Sequence, residues 1–159
     1  MADRTLQPLS PEMWLPSTGC YYAIDAQGRG HLVFPASTAA TAYTPEFHAP
    51  VGITTPLKVR WTFRMASATS GNINLNFAVE AIADADNYDT DAGSSFDTDN
   101  ASGSTAVPGT TAGRIKTVET TLTNADSIAV GEMFRIRLTR PSESNVLHVL
   151  TLSLIDDGG

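Results

Sequence analysis

A chain of 159 residues suits one domain and can bury a core without disulfide or metal staples. Ten basic residues against seventeen acidic ones give a net charge of −7, the wrong sign for the basic footprint of a nucleic-acid binder. Cys20 stands alone, which excludes an internal disulfide, and no apolar run approaches the ~18 residues that span a bilayer, so no membrane partner is expected. The first residues include Asp3 and Arg4 and no apolar core, so no signal peptide is expected either.

Residues 1–20 carry Pro8, Pro11 and Pro16, which block helix and favour extended backbone. Leu6, Leu9, Met13, Trp14 and Leu15 lie between them, too many large apolar side chains for a solvated tail. Two placements are open for this extended N-terminal arm. It lies across its own domain, or it packs on a neighbouring subunit with those five residues as the interface. In the second case, deleting residues 1–16 weakens association without unfolding the rest.

Residues 21–159 read as one β-sandwich domain. Cys20–Asp25 and His31–Phe34, joined through Gln27-Gly28-Arg29-Gly30, form a hairpin candidate. Tyr43–Val51 holds Pro45 and Pro50, so a strand there is irregular or at an edge. The plainest pattern is Leu57–Ala83. Leu57, Val59, Trp61, Phe63 and Met65 alternate with Lys58, Arg60, Thr62 and Arg64. A second limb sets Ile73, Leu75, Phe77 and Val79 against Asn72, Asn74, Asn76 and Glu80. Period two means half-buried strands, and the loop ending at Gly71 suggests that the limbs form a long antiparallel hairpin. Trp61 falls on the apolar face and is expected in the core.

Residues 84–113 break the composition, with six aspartates and no basic residue. A thirty-residue excursion without clear structure is long for a compact domain. Strand patterns return at Ile115–Thr123, Met133–Arg140 and Val146–Ile155, the last with Leu150, Leu152 and Leu154 expected inward. The sum is an all-β fold, an antiparallel two-sheet sandwich of jelly-roll type with an extended proline-rich N-terminal arm.

No catalytic constellation is present: there is no G-x-S-x-G, no phosphate-binding glycine loop and no H-E-x-x-H. Neither an enzyme nor a cofactor is therefore expected. His31, His48 and His148 are far apart in sequence and show no ligand spacing, and Cys20 reads as a packed thiol. Asp84, Asp86, Asp89 and Asp91 offer the hard oxygens that calcium takes. An EF-hand register from Asp84 nevertheless puts Asp89 where glycine is needed and Ser95 where glutamate is needed. A calcium site outside the EF-hand pattern, or an acidic loop facing solvent or a partner, are the alternatives. Seven acids between residues 80 and 99 are expected to meet some of Lys58, Arg60, Arg64, Arg135 and Arg137. Exposed Trp or Tyr would suit a carbohydrate-binding module, because such sandwiches stack sugar rings on aromatics; Trp14, Tyr21, Tyr22 and Tyr43 are the candidates.

The run from Trp61 to Asn74, with its A-S-A-T-S-G-N loop, the aspartates at 83–86 and the late G-E-M-F-R-I-R-L-T-R, resembles small β-sandwich virion proteins of tailed bacteriophages. The similarity spans Leu57–Asp91 and Glu132–Leu154. It implies a capsid decoration or accessory subunit, located in the virion and associating with itself as a homo-oligomer, a trimer above all, and with the major capsid or other virion proteins. The alternatives are a tail or fibre module that binds a host surface, or a carbohydrate-binding module.

Overall fold

A computed structural model describes residues 4–83 and 96–156. Fourteen strands follow in order: β1 (Arg4–Leu9), β2 (Leu15–Pro16), β3 (Tyr21–Ile24), β4 (Gly30–Phe34), β5 (Ala40–Tyr43), β6 (Phe47–His48), β7 (Leu57–Met65), β8 (Asn72–Ile73), β9 (Asn76–Ile82), β10 (Asn100–Ala101), β11 (Thr105–Ala106), β12 (Ile115–Leu122), β13 (Met133–Arg140) and β14 (Leu147–Asp156). A 3-10 turn over Pro11–Met13 separates β1 from β2. Among the described residues one large sheet runs β12-β7-β14-β4-β3, with β1 also on β14; the other runs β10-β9-β13-β5-β2, with β6 also on β13; and β8 pairs with β11 as a separate two-stranded ribbon. All pairings are antiparallel, and the architecture is the expected two-sheet jelly-roll sandwich.

Strand β7 alternates buried and half-buried residues without a break, as its sequence alternates. Leu57, Val59, Trp61, Phe63 and Met65 point to the other sheet and are fully or almost fully buried. Trp61 stacks on Phe63 at 5.0 Å between ring centroids and faces Phe77 at 6.3 Å. Its indole N–H donates to Thr120 Oγ1 at 3.1 Å, so its one polar atom is satisfied inside the core.

The expected hairpin of β7 with the second limb does not form. Strand β7 pairs with β12 and β14, whereas β9 pairs with β13 and β10 in the opposite sheet. Both limbs have one apolar face, and those faces meet across the sandwich rather than lying side by side in one sheet. Alternation specifies the buried face of a strand and leaves its neighbour open. The hairpin of β3 and β4 is observed, with Tyr21 opposite Val33 and Ile24 opposite Gly30.

The N-terminal segment lies on its own sandwich. Strand β1 pairs with β14 from Arg4↔Asp156 to Leu9↔Leu152. Leu9 and Trp14 are buried in this chain's core and Leu6 packs against it; Met13 and Leu15 stay exposed. Of the five interface candidates, only Met13 and Leu15 remain available to another molecule.

Strand β14 carries a bulge. Val149 pairs with Phe63 and Thr151 with Thr62, so Leu150 has no partner across the β7 ladder. The extra residue shifts the phase. Val149 and Leu152 point inward, but Leu150, expected inward, lines a surface pocket with Thr151 instead.

Two outcomes test this packing. Trp61→Ala should destabilise the fold by ~3–5 kcal/mol, the cost of truncating a buried aromatic, as read by chemical denaturation. Deleting residues 1–16 should lower the melting temperature sharply, because it uncovers an edge of β14 and removes Leu9 and Trp14 from the core. A truncated chain that melts like the parent would show that this segment adds nothing to the sandwich.

Candidate functional site

The outer face of the β12-β7-β14-β4-β3 sheet carries one row of residues in register across five strands. Tyr21 lies opposite Val33, Val33 opposite His148, His148 opposite Arg64, and Arg64 opposite Ile115. Residues paired in this way share a face. Tyr21 at 53% and Ile115 at 65% exposure stand at its two ends. At a strand spacing of ~4.8 Å, Tyr21 and Arg64 are about 14 Å apart.

Between them the imidazoles of His31 and His148 stack at 4.5 Å with 25° between their planes. The two histidines lie far apart in sequence, and the pairing of β4 with β14 brings them together. His31 Nδ1 donates to the Arg29 carbonyl at 3.3 Å, and Arg64 Nε donates to His148 Nδ1 at 3.2 Å. That second bond requires an unprotonated His148 Nδ1. Burial, then the nearby His31 ring and the Arg64 charge, push the His148 pKa down to about 4.

Beside this row the bulge opens a pocket of about 320 Å³, lined by Asp25, Arg29, Gly30, Arg64, Gly113, Ile115, Leu150 and Thr151. Its rim is the β3–β4 turn. There the Asp25 carboxylate accepts from the backbone N–H groups of Gln27 and Arg29 and from Arg29 Nε, each at 3.0 Å. The Arg29 backbone N–H first, with the Gln27 N–H and the Arg29 guanidinium, holds the Asp25 carboxyl below the usual carboxylate range. Gly30 leaves room for Tyr22, whose ring would collide with any Cβ at that position. The pocket thus combines a fixed turn, two apolar side chains, one hydroxyl, two guanidinium groups and the Asp25 carboxylate that pairs with one of them.

The opposite sheet's outer face is chemically closed. Arg135 bonds Glu80, lies 3.8 Å from Glu46, and sits over the rings of Phe96 and Tyr43 at 5.1 and 5.9 Å. Arg137 pairs with Asp99 at 3.0 Å and sits over Phe96 at 4.7 Å. The expected meeting of acids with strand cations therefore occurs inside one chain. Glu80 and Asp99 meet arginines, Asp97 accepts from the Asp126 N–H, and Arg60 meets Glu119 at 2.6 Å. The calcium candidates Asp84, Asp86, Asp89 and Asp91 fall outside the described residues.

A larger cavity of about 590 Å³ lies among Thr55, Pro56, Asp97, Leu122–Ala125, Ser127 and Ile128. It presents no aromatic ring and no cation, and its carboxylate is already bonded to the Thr98 and Asp126 N–H groups. The smaller pocket carries more recognition chemistry. Cys20 is buried and its thiol is pushed up to about 12, so it supplies no thiolate. His48 is exposed and donates from Nδ1 to the Gly131 carbonyl at 3.0 Å.

Sequence reading named Tyr21 and Arg64 and missed their setting. It treated the histidines as unrelated, and Leu150 as core. The signal for His148 was divided: Leu147 and Val149 on either side argue for an outward side chain, whereas Leu150, Leu152 and Leu154 share its phase and argue for an inward one.

No protein-family model matches the chain, and no curated protein matches it. Solved structures of similar shape include a family 6 carbohydrate-binding module from Clostridium cellulolyticum in complex with xylose (TM-score 0.56, 10% identity, covering 93% of this chain and 95% of that one). A C-terminal family 6 module of a laminarinase from Zobellia galactanivorans has TM-score 0.54 and 13% identity over 94% and 98% of the two chains. A family 35 module from Clostridium thermocellum has TM-score 0.52 and 14% identity over 97% and 98%. At these identities the likeness is one of fold.

The His148 geometry predicts a pH response. The folded value near 4 lies below the ~6.5 of an unfolded histidine. Between those values the unfolded chain takes up a proton that the native His148 refuses, so this group costs stability as pH falls from about 6.5 to about 4. Melting temperature measured across that window should fall less steeply in His148→Gln than in the parent; parallel curves would sink the assignment.

Proposed function

We propose that this chain is a binding module rather than an enzyme, that its ligand is a carbohydrate, and that the Tyr21–Ile115 face with its bulge pocket receives it. One observation carries the reading: an exposed aromatic ring, a pocket of small-ligand size and hydrogen-bonding side chains share one face of a rigid sheet. Ligand sites combine apolar surface with a few placed polar groups and a volume of ~300–1,000 Å³. The fold likeness to carbohydrate-binding modules supports the ligand class. Tyr21 would offer a ring face to a sugar, while Thr151 and the guanidinium groups would donate to hydroxyl oxygens.

A second reading, a subunit of a bacteriophage particle, draws on the exposed Met13 and Leu15 beside the edge strand β2, a surface another copy could cover. A trimer mass in solution would favour it, and a monomer would leave the module reading alone.

The test is a panel of immobilised polysaccharides followed by titration calorimetry on any that bind. Tyr21→Ala should weaken binding by up to about tenfold, the weight of a lost ring contact of ~0.5–1.5 kcal/mol, with melting unchanged. Failure to bind any glycan, or full binding by Tyr21→Ala, would turn the assignment away from this face.

A further inference from the structure

We propose that the bulge pocket binds a ligand bearing a carboxylate, anchored on the terminal edge of the Arg64 guanidinium. The inference rests on the reading of this face as the ligand face, and adds that the ligand is acidic.

Among the arginines with described side chains, Arg64 and the exposed Arg114 meet no carboxylate, and of these two Arg64 lines the pocket. Arg29, Arg60, Arg135, Arg137 and Arg140 each meet a carboxylate. Arg64 meets none among the described residues; its bond there is the one from Nε to His148. A guanidinium stays charged at any pH a protein survives, so its two terminal nitrogens remain donors without acceptors. They are not on a freely solvated side chain. Arg64 is half-buried, flanked in register by Ile115 and His148, and lines the pocket.

At the rim Arg29 is already neutralised by Asp25 and also bonded to Gln27. Arg64 therefore supplies the uncompensated charge of the pocket. Its planar fork matches the two oxygens of a carboxylate, a geometry that is stronger and more selective than a single neutral hydrogen bond. Ile115 and Leu150 offer an apolar wall beside it, suited to the non-polar face of a ring or short chain. A net charge of −7 on the whole chain disfavours densely charged polyanions, so one carboxylate on a small or sparsely charged ligand fits best.

A bare organic acid and an acidic sugar share this chemistry, and one experiment separates them. Sodium glucuronate, sodium acetate and glucose are titrated at constant ionic strength into the parent, Arg64→Gln and Arg64→Lys. The His148 ring resonances serve as the local probe, because an anion on Arg64 perturbs its bond to Nδ1. The expected result is a saturable His148 shift with glucuronate, at least tenfold weaker response to glucose, loss in Arg64→Gln and partial retention in Arg64→Lys, all variants melting like the parent. Glucuronate binding tighter than acetate assigns the site to an acidic sugar, and equal affinity assigns it to simple carboxylates; both support the proposal. Equal response to glucose and glucuronate, an undiminished shift in Arg64→Gln, or no shift with either acid would overturn it. Neutral-glycan binding retained in Arg64→Gln would leave the carbohydrate reading standing while this inference falls. Acetate bound at Arg64 with no glycan bound at all would do the reverse.

Discussion

The fold depends on a charge placed where a charge is expensive. Arg140, at the end of β13, is fully buried. Its guanidinium donates to the carbonyls of Phe34 at 2.9 Å, Pro35 at 3.3 Å and Asn145 at 2.6 Å, and to Glu143 Oε2 at 3.0 Å. A buried ion stands only when paired and hydrogen-bonded. Glu143 in turn accepts from the backbone and side-chain N–H groups of Asn74, at 2.9 and 3.2 Å. One side chain thus joins the end of β4 in one sheet, the start of β9's approach in the other, and the turn that leads into β14. That turn fixes where β14 begins, and with it the register that sets His148 beside Arg64 and His31.

The two outer faces then diverge for a reason of charge accounting. On the β13 face every described arginine has its acid, supplied by β9 or by the segment before β10, and the aromatic rings are already covered by guanidinium groups. A surface that satisfies itself has little left for a ligand. On the β14 face the same alternation places Arg64 between an isoleucine and a histidine, and the acids that follow in sequence go elsewhere. The histidine takes one donor and cannot neutralise the charge. That asymmetry, rather than any single motif, distinguishes the faces.

What the sequence disclosed follows the range of the forces involved. Strand β7 was legible to the residue, because Leu57–Met65 alternates strictly and its inward side chains are all large. The β3–β4 hairpin was legible because its turn is short and glycine-rich. Which sheet β9 joins was not, since its period is the same in either sheet. Strands β2, β6, β10 and β11 span two residues each and leave no periodicity to read. They include the pairing that brings part of the aspartate-rich stretch onto β9 through Asn100. There the Asn100 side chain donates to the Phe77 and Asn124 carbonyls and accepts from the Asn124 N–H, a network invisible to any local pattern.

The candidate site was the least legible part, and the bulge explains why. Read as an unbroken strand, Leu147–Asp156 puts His148, Leu150, Leu152 and Leu154 on one face, a contradiction between one polar residue and three leucines. The majority rule buries the leucines and sends His148 inward with Leu150. One inserted residue resolves it: Leu147 and Val149 point inward before the bulge, and Leu152 and Leu154 after it. His148 and Leu150 are thereby released together to the outer surface, where the histidine meets Arg64 and the leucine lines the pocket. A bulge leaves one residue out of the ladder, and this one falls where the partner on the other side of β14 changes from β4 to β1. The feature that makes the pocket is therefore also the feature that breaks the pattern, which is why a reader of the sequence would smooth it away.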